Sequence, residues 1–475
     1  MKRLLILAYD FPPYVSVGGL RPYAWYRYLK EYGVEPIVVT RQWGNKYANE
    51  LDYIAPGESN ETIVETTEYG TIIRTPYKPN LANRIMLKYG RSKFALIRKM
   101  VTAWYEFMQF LFFVGPKSGL YRGAKEYLKH NKVDAIIATG EPFVLFKYAS
   151  ALSKKYGIPW VADYRDPWSQ NKNRSNFWRK GAVRKEKKIV ATAKCVTTVD
   201  EFFQKQIETN VHKPFQIISN GYNPDAMELV SDVKQCDDCL RFAFVGTIYK
   251  WHPIESVLGC FSHFSCSSPN FELNFYGVNN GDTLRTLVSE KYSNIVEKVN
   301  IYPRMENIQL MKELARHNVM LLFNYYSFTG TKIYDYLVLK RKILFCYSND
   351  AEALALKDKY YPVGEVEGVS THLQEDLINE THSGIIVKDK EHLAKVLVDL
   401  YSEFTQTGSI ACNSINTSKY SRKEGARQLA EVVRRFKVQS CSGRGAPRPY
   451  KVQKFNDCSS GAMICADCND LRRLQ

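Results

Sequence analysis

The sequence predicts an α/β protein made of two successive doubly wound, Rossmann-like units facing a cleft. Three observations predict it. Short Val/Ile-rich runs without polar alternation recur along the chain, as strands buried on both faces require. Helix-period segments separate those runs, which favours parallel strands joined by crossover helices. The pattern then restarts after residue 238, and each round is about 200 residues long, a size that suits one doubly wound domain.

The first round reads as follows. Leu4 to Ala8 is a strand, Arg21 to Tyr32 a helix ended by Gly33, and Pro36 to Thr40 a second strand. Ala135 to Ala138 is another strand, and a helix from Phe143 to Tyr156 is broken by Gly157-Ile158-Pro159. Trp160 to Asp163 is a strand, Arg179 to Ala193 a basic helix, and Val196 to Val199 and Gln216 to Ser219 are strands. Together they give an N-terminal domain over residues 1–219. Asn220 to Asp238 is weakly periodic and reads as a linker. The C-terminal domain, 239–419, has strands at Arg241 to Val245, Glu272 to Tyr276, Val299 to Tyr302, Val319 to Phe323 and Ile343 to Cys346. A last helix occupies 420–437, with a polar start and a basic end that suit the helix dipole. Residues 438–475, rich in Cys, Ser, Gly and Arg and without a period, read as a disordered tail.

Composition narrows the classes. Of 475 residues, 45% are hydrophobic and 24% charged, which supports sizeable cores and excludes global disorder. The formal net charge of +17 attracts polyanions: nucleic acid, anionic lipid or phosphorylated small molecules. The basic residues are spread along the chain, and neither zinc-finger spacing nor an aromatic RNA-binding pattern occurs, so nucleic acid is not expected as a partner. Seven of the 11 cysteines are scattered over the first 412 residues, which fits a reducing, cytoplasmic setting. The apolar run at Met1 to Ala8 is too short for the core of a signal peptide and reads as the first strand. No run reaches the roughly 18 apolar residues of a membrane span; Val101 to Val114 comes nearest but carries Glu106 and Gln109.

Four loops carry candidate chemistry. After the first strand come Phe11-Pro12-Pro13 and then Gly18-Gly19 just before a helix. Paired glycines admit close backbone approach, and a helix N-terminus favours anions. The spacing is not that of a dinucleotide fingerprint. Asp163-Tyr164-Arg165-Asp166-Pro167-Trp168 leaves another strand end. Its charged side chains fit either an internal ion pair or a loop that contacts a sugar or acceptor. Gly246-Thr247-Ile248-Tyr249-Lys250 repeats the strand–glycine–loop pattern in the second domain. Thr329-Gly330-Thr331-Lys332 follows the strand Val319 to Phe323, and Asp335 lies one turn beyond Lys332. Thr331 is placed to cap a helix beginning at Lys332. The plain alternative for Lys332 and Asp335 is a surface ion pair worth about 0.2–0.5 kcal/mol. The functional one is a diphosphate seat on Lys332 and the helix N-terminus, with a carboxylate for ribose hydroxyls.

Four stretches taken in order, Phe11-Pro12-Pro13 with Gly18-Gly19, Asp163 to Trp168, Ile217-Ile218-Ser219-Asn220-Gly221-Tyr222-Asn223, and Gly330-Thr331-Lys332 with Asp335-Tyr336-Leu337, resemble family 4 retaining glycosyltransferases of the GT-B fold. The likeness covers about residues 1 to 437 and is to members that build bacterial cell-surface polysaccharides. It implies transfer of a sugar from a nucleotide-sugar donor to a saccharide or lipid-linked acceptor, with retention and with neither metal nor cofactor. It implies that Gly18 and Gly19 pass close to the donor phosphates or the acceptor, and that Gly246 and Lys250 line the diphosphate pocket; Thr247, Thr329, Gly330 and Thr331 are further donor-binding candidates. Lys332 would bind phosphate, Asp335 would hold the ribose, and Arg165 and Asp166 would act at the reacting end. The family usually carries paired glutamates eight apart, where this chain has Ser327 and Asp335. It commonly has an arginine at the place of Thr247 and a histidine at that of Arg165. Two other readings are a non-catalytic GT-B protein that binds sugar or a partner, and a nucleotide-sugar epimerase. The eight histidines form no evident acid–base set of the kind an epimerase needs.

Two further stretches bear on partners. Arg84, Lys88, Arg91, Lys93, Arg98 and Lys99 precede the aromatic run Trp104 to Phe113. Basic and aromatic residues so arranged suit an interfacial helix on anionic lipid, peripheral to the inner face of a plasma membrane. Cys465 and Cys468, with Cys441 and Cys458 upstream, and the pair Cys236 and Cys239 are irregularly spaced, and no metal site is expected there.

Overall fold

The structure is a computed structural model that describes residues 1–14, 16–44, 50–170, 176–267, 269–347, 350–361 and 363–436. The tail from 438 onward, with Cys441, Cys458, Cys465 and Cys468, lies outside the described residues. The chain forms two compact units. One is Met1–Ser219 together with the helix Arg422–Arg434; the other is Asn220–Ser421.

The first unit holds an eight-stranded sheet. Its strands are β1 (Lys2–Leu7), β2 (Val34–Arg41), β3 (Ile63–Thr66), β4 (Thr71–Thr75), β5 (Ala135–Gly140), β6 (Trp160–Tyr164), β7 (Cys195–Thr198) and β8 (Phe215–Ile217). The order is β3-β4-β2-β1-β5-β6-β7-β8, and only the edge strand β3 runs antiparallel to its neighbour. The continuous apolar runs are the central strands. In β5 and β6 every residue is buried, as a sheet covered on both faces requires. Strand order reverses between β1 and β5, which register Leu4 on Ala135 and Leu7 on Ala138.

Helix limits follow local chemistry. The helix Val17–Tyr28 is capped by Ser16, whose Oγ accepts the Gly19 N–H at 3.1 Å. It passes into a 3₁₀ turn, Leu29–Tyr32, that ends at Gly33 with φ 73°. The helix predicted at Arg21 to Tyr32 therefore starts four residues earlier, because the glycine pair is its first turn. Gly157, also left-handed, stops the helix Val144–Tyr156 where the sequence predicts. The last helix, Arg422–Arg434, packs Ala426, Leu429, Ala430 and Val433 against a cluster that includes Leu4, Ile6, Trp25 and Leu29.

The second unit holds six strands: β9 (Leu240–Val245), β10 (Phe271–Tyr276), β11 (Val299–Tyr302), β12 (Val319–Phe323), β13 (Lys342–Cys346) and β14 (Gly384–Val387). All are parallel, in the order β11-β10-β9-β12-β13-β14. This is the doubly wound order whose reversal, here between β9 and β12, marks where ligands bind. The ladder joining β9 to β12 spans two residue pairs, Val319 with Phe242 and Met320 with Ala243, and stops short of the carboxyl ends. Asn220–Asp238, read as a linker, belongs to this unit and contains the helix Asp225–Val230. β14 was not legible in the sequence: it is four residues long, and its apolar core is Ile385-Ile386-Val387.

The helices Leu81–Tyr89 and Ala95–Phe112 of the first unit pack on each other as a hairpin. No helix among the described residues is long and apolar enough to cross a membrane.

Candidate functional site

The second unit gathers its candidates at the switch point. β9 ends at Val245, and Gly246 follows with φ 94°. The Gly246 N–H donates to Tyr276 O at 3.0 Å, and the Ile248 N–H donates to Asn279 Oδ1 at 2.9 Å, so the turn is held from β10. Beyond β12, the chain crosses to the helix Lys332–Leu339, which begins where the sequence predicts. Lys332 lies across Gly246: a Cβ there would meet Lys332 Cε at 3.0 Å and Nζ at 3.6 Å. The side chain is buried to 7% exposure, and among the described residues its ammonium makes neither a hydrogen bond nor an ion pair. The Tyr336 hydroxyl, one turn on, accepts the Val245 N–H at 3.2 Å and fixes the helix to the end of β9.

Thr331 occupies the N-cap position, but its side chain does not cap. Its backbone is in the helical region (φ −112°, ψ −26°) and not the extended one that aims a cap side chain at the first turn. The expected cap is thus corrected. The loop before it is braced by Gln374, which accepts the Tyr325 N–H at 2.7 Å and donates to Thr329 O at 3.3 Å. The Tyr334 hydroxyl donates to Thr329 Oγ1 at 3.3 Å. Gly330, with φ 67°, takes the left-handed step of the loop. Asp335 is half-buried and Ser327 is buried, whereas Lys250 is exposed and Thr247 half-buried.

An aromatic nest that sequence reasoning missed adjoins this loop. Tyr249 stacks on Trp251 with centroids 4.4 Å apart, and His252 stacks on Phe323 at 5.0 Å and meets Tyr325 edge-on. His252 Nδ1 accepts the Tyr249 N–H, so the neutral ring carries its proton on Nε2. Burial holds its pKa down to about 3. His252 Nε2, Trp251 Nε1 and Asn324 Nδ2 are buried without a hydrogen-bond partner among the described residues. The run of ring-bearing residues in Tyr249-Lys250-Trp251-His252 was the available signal.

In the first unit the candidates again meet where strand order reverses. Arg165, just past β6, donates from Nε to Gly140 O at 2.7 Å and from Nη2 to Glu141 O at 2.9 Å. Its guanidinium fills the face of Gly18, where a Cβ would stand 2.2 Å from Nη1 and 2.7 Å from Asp10 Oδ2. Ser16 Oγ donates to Asp10 at 2.9 Å. The glycine pair thus has a local reason: Gly18 admits Arg165, and the Gly19 amide is taken by Ser16.

Asp163 forms the internal ion pair. Arg21 reaches its carboxylate through Nε at 3.1 and 3.2 Å and through Nη2 at 2.9 Å, both side chains being buried. Arg21 also donates to Ile218 O at 2.6 Å, and Thr197 Oγ1 donates to Asp163 at 2.7 Å. Asp166 remains half-buried near Asp200, a residue that sequence reasoning passed over. Asp200 accepts the Phe203 N–H at 2.7 Å as a helix cap. Burial first, and then the Asp166 charge, push its pKa up to about 7. Glu186 is a second such carboxyl, also raised to about 7 by burial, though Tyr164 OH at 2.9 Å, Ser169 and Gln170 donate to it. Among the described residues no group of three or more His, Cys, Asp or Glu is placed to hold a metal.

Two solved structures share the fold. A sucrose-phosphate synthase from Thermosynechococcus elongatus superposes with a TM-score of 0.52 at 15% identity, over 91% of this chain and 95% of that one. A UDP-forming α,α-trehalose-phosphate synthase from Burkholderia xenovorans gives 0.51 at 10% identity, over 92% and 99%. The chain has the GT-B fold. No protein-family model and no curated protein sequence matches it. In GT-B terms, each of the two parallel sheets carries its own cluster at its own switch point: Gly18 and Arg165 in the first, Gly246 and Lys332 in the second.

Proposed function

We propose that this chain is a retaining glycosyltransferase that moves a sugar from a nucleotide-sugar donor to a saccharide or lipid-linked acceptor in cell-surface polysaccharide synthesis. One observation carries the reading: Lys332, a largely buried side chain with neither a hydrogen bond nor an ion pair among the described residues, lies over a glycine turn at the switch point of the second sheet. A lysine whose stem is buried while its ammonium makes no bond to the described residues is placed to meet an anionic group of a ligand. The uncapped start of the Lys332–Leu339 helix supplies amides beside it.

As the glycosidic bond to the donor phosphate breaks, negative charge grows on the leaving diphosphate. Lys332 and the helix amides stabilise that charge before any solvent can reorganise. Asp335, one turn along, accepts the ribose hydroxyls. Retention then follows from attack on the face the diphosphate leaves, with a donor phosphate oxygen taking the acceptor proton. Arg165 and Asp166 contact the acceptor. The sucrose-phosphate and UDP-forming trehalose-phosphate synthases share the fold, and the latter supports UDP as the first nucleotide to try.

A second reading, sugar binding without turnover, draws on Ser327, which is small and buried where the family usually carries a glutamate. One experiment separates the two. Thermal shifts against a set of nucleotide sugars identify the donor by mass action. Incubation with that donor then yields slow release of free nucleotide, unaffected by a chelator. A donor that binds but is never cleaved leaves the binding reading. No shift with any nucleotide sugar removes both.

A further inference from the structure

The hairpin of the first unit turns its apolar stripe outward. In the helix Ala95–Phe112 the residues Leu96, Met100, Trp104, Phe107 and Leu111 recur at spacings of four, four, three and four, which is one face of an α-helix. They are exposed to 73%, 65%, 50%, 45% and 49%. The one buried residue of this helix is a polar one, Gln109. Ordinary packing puts the stripe inside; here the helix is mounted the other way round.

The mounting is firm. Phe110, on the inner side, stacks on Trp168 at 5.5 Å, and the Lys147 ammonium reaches Phe110 O. Trp168 closes the segment that carries Arg165 and Asp166, so the helix is seated on the candidate acceptor segment itself.

Charge selects what covers the stripe. Residues 81–112 hold six Lys or Arg and a single acid, Glu106. Glu106 is engaged with Lys117 at 3.4 Å and Gln109 at 2.7 Å. The basic helix Asn176–Val190 adds Lys185, whose ammonium lies 5.3 Å from the Phe107 ring centroid and 4.9 Å from that of Phe110. A second copy of the chain would bring like charge against like. An anionic bilayer offers acyl chains for the stripe and phosphates for its basic border.

We infer that the hairpin Leu81–Phe112 docks on the surface of an anionic membrane, with Met100, Trp104 and Phe107 entering the acyl boundary, and that the acceptor is therefore carried on lipid. The inference rests on the transferase reading for the acceptor, but lipid binding itself is measured without donor.

The test is flotation of the full chain with phosphatidylcholine vesicles, with and without phosphatidylglycerol. Binding is expected to the anionic vesicles alone. The double variant Met100→Glu/Trp104→Glu should weaken it by about tenfold or more. Neutralising Lys88, Arg91, Lys93 and Lys99 to Gln should weaken it about fivefold per charge. Both variants should keep the wild-type melting temperature and the wild-type rate of donor hydrolysis in solution. That rate distinguishes failure of docking from failure of the transfer reading. Indifference of the wild type to both vesicles, or binding that neither variant alters, overturns the inference. So does a dimer in sedimentation velocity that Met100→Glu/Trp104→Glu dissolves while no vesicle is bound, which would assign the stripe to a second copy.

Discussion

The Lys332 Cε lies 3.0 Å from the point where a Gly246 side chain would begin. Two segments 86 residues apart are thereby interlocked at one spot, and the lysine occupies room that any other residue at 246 would claim. Gly246→Ala also has to accept φ 94°. It is expected to cost about 1–2 kcal/mol of stability and to depress turnover by displacing the ammonium. Lys332→Ala should lower turnover by at least about tenfold, near 1.4 kcal/mol of transition-state stabilisation, with the fold intact. Nucleotide release and a thermal melt on both variants check this, and unchanged kinetics in Lys332→Ala would move the phosphate seat elsewhere.

Gly18→Ala acts on the first unit in the same manner. Its methyl would stand 2.2 Å from Arg165 Nη1, so the guanidinium must leave its hydrogen bonds to Gly140 O and Glu141 O. The expected result is a severalfold rise in KM for the acceptor with donor affinity unaltered, read by varying each substrate at saturating levels of the other. A rise in donor Kd of the same size would place Gly18 at the donor phosphates.

The pair Arg21–Asp163 should be a matter of stability and not of turnover per folded molecule. Removing one partner leaves the other charge buried and unpaired, at a cost of about 3–5 kcal/mol. Asp163→Ala is therefore expected to lower the denaturant midpoint strongly while the folded fraction keeps its KM. A small shift would mean that water reaches Arg21.

Asp200 and Glu186 make the first unit sensitive to pH in an unusual direction. Their folded pKa values, each about 7, lie above those of free carboxyls. The native state therefore binds more protons between about pH 4 and 7, and stability falls as pH rises through that window, by at most about 1.4 kcal/mol per pH unit for each group. Asp200→Asn keeps a good helix cap and removes the charge. It should raise the melting temperature at pH 8 and flatten the slope below it. His252 runs the opposite way. Its pKa, lowered to about 3, gives stability that is full above pH 6.5 and lost in acid. A melting temperature for Asp200→Asn that parallels wild type at every pH would deny the raised pKa.

Much of the fold was legible because parallel sheets leave continuous apolar runs. β12 spans Val319–Phe323 as read, and Gly33 and Gly157 end their helices where expected. The hairpin of β3 and β4 and the short β14 were not legible, since four- and five-residue strands carry too little pattern to stand out. The loops of the candidate site were found from their glycines and their place after strands. Their partners were not. Nothing in the sequence ties Gly18 to Arg165, or Arg21 to Asp163, because those pairings arise only when strand order is known. Asp200 could have been noticed as a cap before Glu201, but its proximity to Asp166 depends on β6 lying beside β7.

The helix Arg422–Arg434 completes the core of a unit whose other residues end at Ser219. During synthesis, the ribosome delivers the second unit as one uninterrupted stretch, ready to collapse once made. The first must hold Trp25 and Leu29 uncovered until its closing piece emerges some 200 residues later. A fragment stopping at Ser219 would carry that bare patch permanently and should be sticky, while 220–421 expressed alone should stay in solution.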